Sequence, residues 1–450
     1  MKRLFMAALL ICTAFLPMGA AEPPTAEHIN ATGAKYVHDW VWKVTDIIMY
    51  DGFSPCVISR NEILTNIAAY QAAQPGFAAK YASLGGQLPD LKEFPQPDQS
   101  KKYDWRVSMI QAYRGMIKKI LYHSSLCDSL YDANIKEISA EYAGVSDGNA
   151  IIERSKNYGD EVIKFMTPWF KSDGHSKNQG RKRYNWPRGE QYWSPTPPAF
   201  AEPLDPYFST MRPMSVADNR NELRPMPPIP FSKEKGSAFY DMVMQTYTTC
   251  KGLTDEQRDI ALYWDDSPIK TWNAGHFVFN TRQISPGGHW INICKIACEN
   301  AKFDMMESLR AYTLTSIGLY DGFLLCWEEK FRGHGIRPFT YINRYIDSTW
   351  EPLIQTPPFP EYTAGHATIS AAAAEVLTQV FGPVKFTDNT EISFGFKPRT
   401  FSNFHEAAKE AAMSRVYGGI HFPRSVNEGN RVGTLIGNNV VNKLILLKKN

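Results

Sequence analysis

The chain is organised around three short segments near its carboxyl end: KFRGHGIRP (330–338), PPFPEYTAGHATIS (357–370) and SRVYGGIHFP (414–423). These segments carry three cations and two imidazoles, namely Lys330, Arg337, Arg415, His366 and His421. A guanidinium group matches two oxygens of a phosphate-like anion, and a lysine adds a compact point charge. One histidine can bond to the central atom of such an anion while the other transfers protons. The three segments together predict a site for a tetrahedral oxyanion.

The middle segment predicts how the backbone approaches that anion. Three prolines between 357 and 360 restrict the chain, and Gly365 has no side chain to keep the anion at a distance. Residues 367–381 have a helical pattern, so N–H groups near Gly365 and His366 should point at the anion from the helix amino end. A capping or core position is the alternative interpretation of His366, and the neighbouring cations disfavour it.

The spacing of these residues resembles that of one known superfamily. Its pattern is Lys, six residues, Arg-Pro, then a Gly-His turn, then Ser-Arg, five residues and His, which 330–338, 363–366 and 414–421 follow. The superfamily contains type-2 phosphatidic-acid phosphatases, bacterial class A acid phosphatases and vanadium-dependent haloperoxidases. ISPGGHW (284–290) and SPTPPAF (194–200) are most similar to its soluble bacterial haloperoxidase-like branch.

The resemblance implies a role for each residue of the site. It makes His421 either the nucleophile that becomes phosphohistidine or the protein ligand to vanadium in bound vanadate. It makes His366 the general acid/base of catalysis. The groups that bind vanadate or phosphate are then Lys330, Arg337, Gly365 and Arg415.

Two positions depart from the superfamily pattern. Ala364 stands where the superfamily has Ser, which removes one hydrogen bond to the anion, worth about 0.5–1.5 kcal/mol. Thr363 carries a hydroxyl next to it, but its side chain should point elsewhere. Ser425 stands where an Asp usually accepts the proton of the second His421 ring nitrogen. We expect Glu428 or a backbone carbonyl to take over that role.

Three functions remain open on these residues. The first is oxidation of halide by hydrogen peroxide with vanadate as cofactor, and the second is phosphomonoester hydrolysis without a cofactor. The third is an oxyanion-binding relative that has lost catalysis at Ala364 and Ser425. Phe359 matches an aromatic of chloride-oxidising relatives, although simple packing explains it equally well.

The composition limits the partners. Of 450 residues, 43% are hydrophobic and 21% are charged, and the net charge is only +3. Such a small charge gives no reason to expect nucleic acid or an anionic membrane surface as the main partner. No segment after the amino terminus reaches the eighteen or so apolar residues of a membrane span, so we expect no integral membrane insertion. Small molecules are the expected partners: halide and peroxide, or a phosphoester.

The amino terminus resembles a secretory signal. Lys2 and Arg3 precede an apolar run that ends in small residues, so 1–21 is the predicted signal peptide and the protein is expected to be secreted or periplasmic. Six cysteines follow the predicted cleavage point: Cys56, Cys127, Cys250, Cys294, Cys298 and Cys326. Export permits disulfides. We nevertheless expect buried free thiols, because Cys294 and Cys298 are four apart on a predicted helix.

The predicted fold is all-α, in helical bundles of the haloperoxidase and acid phosphatase type. Apolar residues recur at helical spacing, and no sustained period of two occurs. We divide the mature chain into an amino-terminal bundle, 22–235, and a carboxyl-terminal bundle with the oxyanion site, 236–450. A tract rich in proline and aromatic residues, 168–231, either walls the site or straps the two halves together. His289, at a helix start, is either structural or close to the site.

Overall fold

The computed structural model describes residues 21–268, 270–274 and 276–448. The predicted signal peptide, 1–21, lies outside this part of the chain except for its last residue. Fourteen α-helices fall within the described ranges: α1 Ala26–Asp51, α2 Pro55–Ala73, α3 Trp105–Ile120, α4 Asp128–Ala140, α5 Gly148–Lys171, α6 His175–Gln179, α7 Ala238–Lys251, α8 Asp255–Tyr263, α9 Pro286–Ala301, α10 Met305–Gly333, α11 Pro338–Tyr345, α12 Gly365–Phe381, α13 Phe404–Tyr417 and α14 Pro423–Lys443. The prediction of an all-α fold is confirmed.

Four short strands accompany these helices and were not predicted. They form two antiparallel hairpins, in which β1 Lys270–Ala274 pairs with β2 Phe277–Thr281 and β3 Phe386–Asp388 pairs with β4 Arg399–Phe401. Strands of three to five residues are too short to show a period of two in a sequence. The hairpins are small additions to a helical body.

Local sequence signals fix the ends of the helices that carry the site. Ser285 caps α9 by accepting the N–H of Gly288 at 2.9 Å. Asp304 and Glu307 form a capping box at the start of α10. Proline stands at the first position of α9, α11 and α14, where its fixed φ suits a helix start. The site segments therefore enter their helices at defined angles.

One hydrophobic core joins helices from both predicted bundles. It runs from Ile29 on α1 to Leu446 after α14, and α10 crosses its centre in contact with α1, α2, α9 and α12. The division at residue 235 stays a prediction. Within the described chain, no helix combines the length and the apolar character that crossing a bilayer requires.

Close backbone packing holds α12 against α14. Gly429, Gly433 and Gly437 line one face of α14, and a methyl group at Gly433 would lie 2.1 Å from the carbonyl oxygen of Thr368. Because glycine has no side chain at this contact, the two helices approach backbone to backbone. This packing places the first turn of α12, with His366, beside the start of α14, which follows His421.

Candidate active site

The structure brings the five predicted side chains together from five places in the fold. Lys330 lies in the last turn of α10, Arg337 caps α11, His366 is in the first turn of α12, Arg415 is near the end of α13, and His421 precedes α14. Lys330, Arg337, Arg415 and His421 are buried, and His366 is largely buried. A cavity of about 100 Å³ lies among them, lined by Gly365, His366, Arg415 and His421.

His421 is held in one defined proton arrangement. Its Nδ1 lies 2.8 Å from Oε1 of Glu361, and its Nε2 lies 3.1 Å from Nη1 of Arg337. A guanidinium group can only donate, so Nε2 is the acceptor and Nδ1 carries the proton that Glu361 accepts. Burial, together with Arg337, Lys330 and Arg415, lowers the pKa of His421 well below its usual value. The ring is therefore neutral, with the lone pair on Nε2 that a nucleophile or ligand needs.

Glu361 is the functional residue that the sequence analysis missed, and the expectation for Glu428 was wrong. Glu428 accepts the Met226 N–H at 3.0 Å and pairs with Arg431, away from His421. Ser425 lies 3.5 Å from His421 Nδ1, farther than Glu361. An acid inside PPFPEYTAGH was a visible signal, but only the folded loop shows which ring nitrogen it reaches.

Lys330 supports the loop before α12. Its Nζ donates to the carbonyl oxygens of Pro360, Glu361 and Thr363 at 2.5–2.9 Å. Burial lowers the pKa of Lys330 to about 8. The three carbonyl acceptors match the three protons of the ammonium form. Lys330 thus fixes the backbone that carries Glu361, and no ammonium proton is left over for the anion. Its role in binding the anion stays a prediction.

Three buried nitrogen atoms at the site have no hydrogen-bond partner: Arg337 Nη2, Arg415 Nε and His366 Nε2. Leaving such a group unpaired costs about 1–3 kcal/mol each, and more when it is charged. Arg415 is held from the other side, because its Nη1 donates to the carbonyl oxygen of Trp264. A bound oxyanion would give these nitrogens the acceptors that they lack, so the residues fit vanadate or phosphate.

The structure shows where the side chains of Ala364 and its neighbour Thr363 lie. Ala364 is fully buried at the start of α12 and offers no side-chain cap. The hydroxyl of Thr363 donates toward Cys326 Sγ at 3.5 Å, so it points elsewhere as predicted. Among the described residues all six cysteines are free thiols, which also agrees with the prediction.

Two acidic side chains, Asp265 and Asp266, lie beside Arg415 and His366. Asp266, in the segment after α8, places Oδ2 3.8 Å from His366 Nε2 and Oδ1 2.9 Å from His289 Nδ1. Asp265 places Oδ1 3.8 Å from Arg415 Nη2. Burial lowers the pKa of His366 well below its usual value, and Arg415, His289 and Lys330 add to this. His289 therefore contacts Asp266, and Asp266 in turn faces His366 of the site.

The proline-rich tract walls the cavity, as one of its two interpretations predicted. Thr196, Pro197, Pro198, Ala199, Ala201 and Leu204 line it opposite an aromatic face of Phe323, Trp327 and Phe359. The tract is fastened by bonds from Leu204 N–H to Pro358 O at 3.0 Å and from Trp327 Nε1 to Leu204 O at 3.2 Å. The ring of Phe359 lies 5.1 Å from Lys330 Nζ and packs on Trp327. The cations of the site thus lie beside an apolar cavity wall.

Comparison with known proteins identifies the family of this chain. A family profile described as the VCPO second helical-bundle domain matches residues 310–448. The fold is similar to a crystal structure of the first bacterial vanadium-dependent iodoperoxidase, with 34% identity and a TM-score of 0.86 over 95% of this chain and 99% of the other.

Two further structures share the fold at lower identity. The holo-type bacterial vanadium-dependent chloroperoxidase is 15% identical with a TM-score of 0.65, and the apo-type is 16% identical with a TM-score of 0.62. Each covers 87% of this chain and 94% of its own. The curated proteins give no match. With one relative 34% identical over nearly its full length, the chain belongs to the vanadium-dependent haloperoxidase family of enzymes.

Proposed function

We propose that this enzyme oxidises halide with hydrogen peroxide at a vanadate held by His421. The observation that carries the proposal is the set of three buried, unpaired nitrogens on Arg337, Arg415 and His366 beside the neutral ring of His421. Such a set suits a multiply charged oxyanion better than any neutral ligand. Similarity to a bacterial vanadium iodoperoxidase over nearly the whole chain supports the same chemistry and makes iodide the first halide to test.

Each residue has a task that follows from its contacts. When bound, vanadate supplies a Lewis-acidic centre that activates peroxide toward halide. His421 offers Nε2 as ligand, because Glu361 holds the proton on Nδ1. Arg337 and Arg415 neutralise the anion through N–H groups in a water-poor cavity, where such interactions are strongest. His366, with an unpaired Nε2 at the cavity, is placed to move the protons of bound peroxide.

The cavity suits a small, weakly hydrated substrate. The apolar wall from 196–204 and the rings of Trp327 and Phe359 line the cavity beside the cations. A halide gives up its hydration most readily when it is large, which again favours iodide over chloride. Export to the periplasm, expected from the amino-terminal segment, would bring the site into contact with external halide and peroxide.

A paired assay on the purified protein tests the proposal. One arm contains orthovanadate, hydrogen peroxide and iodide or bromide, and the other contains a chromogenic phosphomonoester without vanadate. We expect vanadate-dependent halide oxidation that is lost in His421→Ala. Vanadate-inhibited phosphate release without halide oxidation would instead identify a phosphatase. Saturable vanadate binding without turnover in either arm would identify a non-catalytic binding protein.

A further inference from the structure

A buried row of alternating acids and imidazole lies behind His366. His289 Nδ1 is 2.9 Å from Asp266 Oδ1, and His289 Nε2 is 2.7 Å from Asp388 Oδ2. All three side chains are buried. The indole of Trp264 stacks on the imidazole with ring centroids 4.4 Å apart and an interplanar angle of 15°. The ring of His289 is thus fixed in its plane and at both nitrogens.

The geometry indicates how this row is protonated when both acids are ionised. Burial raises the pKa of Asp266, and His289 and Arg415 oppose that rise. Ionised carboxylates only accept hydrogen bonds, so a ring held between two of them donates from both nitrogens and is an imidazolium. Burial lowers the pKa of His289, but Asp266 and Asp388 outweigh it and hold that pKa well above its usual value. The third acid facing the ring is Glu391, with Oε1 3.7 Å from Nδ1. Burial raises the pKa of Glu391 to about 8, so it is uncharged at neutral pH.

Asp266 combines a left-handed backbone with a carboxylate that faces two histidines. Its φ of 41° lies in the left-handed region, which is unfavourable for residues other than glycine. The bond to His289 occupies Oδ1 and leaves Oδ2 facing His366 Nε2 at 3.8 Å. The hydrogen bond to His289 therefore sets which carboxylate oxygen of Asp266 faces His366.

His366 needs the charge of Asp266. The charged groups that act on His366 are Asp266, Arg415, His289 and Lys330, and the three cations all disfavour a proton on its ring. Among these groups, Asp266 alone carries the negative charge that would stabilise protonated His366. A carboxylate turned away from Nε2 would leave His366 unable to hold a proton during turnover.

We propose that His289 is a positioning residue of the active site: held between Asp266 and Asp388, it fixes the Asp266 carboxylate against His366. In this arrangement Asp266 stabilises His366 whenever the latter accepts a proton. The inference rests on the proposed function, because it assigns His366 to proton transfer. It adds residues from α9 and β3 to a site otherwise built from α10 to α14.

The first test uses the unaltered protein and does not depend on activity. Histidines labelled with ¹⁵N are observed by NMR between pH 6 and pH 8, and His289→Gln assigns the signal. We expect one histidine with both ring nitrogens protonated over the whole range, absent from the variant. A single protonated nitrogen on His289 would overturn the proposal.

The second test compares His289→Gln, Asp266→Asn and the double variant. Loss of an outer residue of this kind costs about 10- to 100-fold in activity. We expect that loss in kcat for either single variant, with KM for halide and the affinity for orthovanadate unchanged. Because His289 acts through Asp266, the double variant should be no worse than Asp266→Asn.

The control is His38→Gln, which removes another buried histidine, bonded to Tyr312 at 2.8 Å on the amino-terminal side of the core. It should retain wild-type kcat. Additive losses in the double variant, or equal losses in His38→Gln, would show a merely structural role and overturn the proposal. An inactive wild-type protein whose His289 is doubly protonated would refute the proposed function and not this hydrogen-bonded row.

Discussion

At the scale of single residues, the carboxylate of Glu361 decides whether His421 can act. It accepts from both His421 Nδ1 and the Phe422 N–H, the latter at 3.0 Å. Burial raises the pKa of Glu361, and the hydrogen bond from the Phe422 N–H and the cations Arg337 and Lys330 oppose that rise. One side chain therefore orients the imidazole, accepts its proton and faces the cations of the site.

Glu361→Gln tests this role. Glutamine keeps the shape and one acceptor but loses the negative charge. The Nδ1–H group of His421 is then held less firmly, and Nε2 of the same ring becomes a weaker ligand. We expect orthovanadate affinity to fall about 10- to 100-fold in equilibrium binding. The matched control is Glu428→Gln, which should bind vanadate as the wild type does. Equal losses in both variants would contradict the specific role of Glu361 in holding His421.

Ala364→Ser restores the hydroxyl that this chain lacks. The side chain is fully buried at the start of α12, where a serine hydroxyl could reach the anion or cap the helix. A hydrogen bond worth about 0.5–1.5 kcal/mol should tighten vanadate binding about twofold to twelvefold and raise halide oxidation. Thr363→Val, whose hydroxyl faces Cys326, serves as the control and should change neither. An unchanged affinity in Ala364→Ser would show that position 364 lies outside the anion's reach.

At the scale of elements, the contact between α12 and α14 places the two halves of the site. His366 begins one helix and His421 precedes the other, so their separation depends on how closely the helices pack. The small side chains Ala371 to Ala374 and the glycines of α14 allow that approach. A larger side chain here would move both histidines without touching either.

Gly433→Ala tests this packing. The new methyl group would meet the Thr368 carbonyl at 2.1 Å, and the backbone must shift to accept it. We expect the free energy of unfolding to fall by about 1–3 kcal/mol, with weaker vanadate binding. Gly333→Ala, near the end of α10 with open space around it, is the control and should be neutral or stabilising by about 0.4–1 kcal/mol. Urea denaturation of both variants measures the difference.

At the scale of the whole molecule, burial of histidines ties stability to pH. His38 has its pKa lowered to about 4 by burial, and burial lowers those of His366 and His421 as well. The unfolded chain binds protons at these rings near pH 6.5, and the folded chain does so only at lower pH. The stability they contribute is therefore complete above pH 6.5 and is lost as the pH falls. His289, with its raised pKa, acts in the opposite direction and contributes below pH 6.5.

We expect the contribution of His38 to the free energy of unfolding to fall between pH 7 and pH 4. The loss amounts to about 3 kcal/mol by pH 4, because burial lowers the pKa of His38 from 6.5 to about 4 and each tenfold change in proton affinity is worth about 1.4 kcal/mol. Unfolding by urea at several pH values measures it, and His38→Gln should show a smaller loss over the same range. An identical pH dependence in that variant would contradict the assignment.

Much of this molecule was predictable because its signals are local. The all-α class follows from helical spacing, and proline and capping residues mark the starts of α9, α10, α11 and α14. The five site residues stand out because cations and histidines occur at fixed intervals within three segments. The two hairpins were missed because their strands have at most five residues, too few to show the alternation that predicts a strand. Glu361 was missed although it stands in the quoted text, because nothing local says which histidine it faces.

By itself the sequence determined the helical class and the family, and it predicted the five residues of the candidate oxyanion site. Only the tertiary structure decided which acids serve them. Glu361 reaches His421 across 60 positions, and Asp388 reaches His289 across 99. Helix starts and motif spacings are set by neighbours along the chain, and a sequence displays them directly. The proton of a buried imidazole is set instead by whichever carboxylate the packing of distant helices brings within 3 Å.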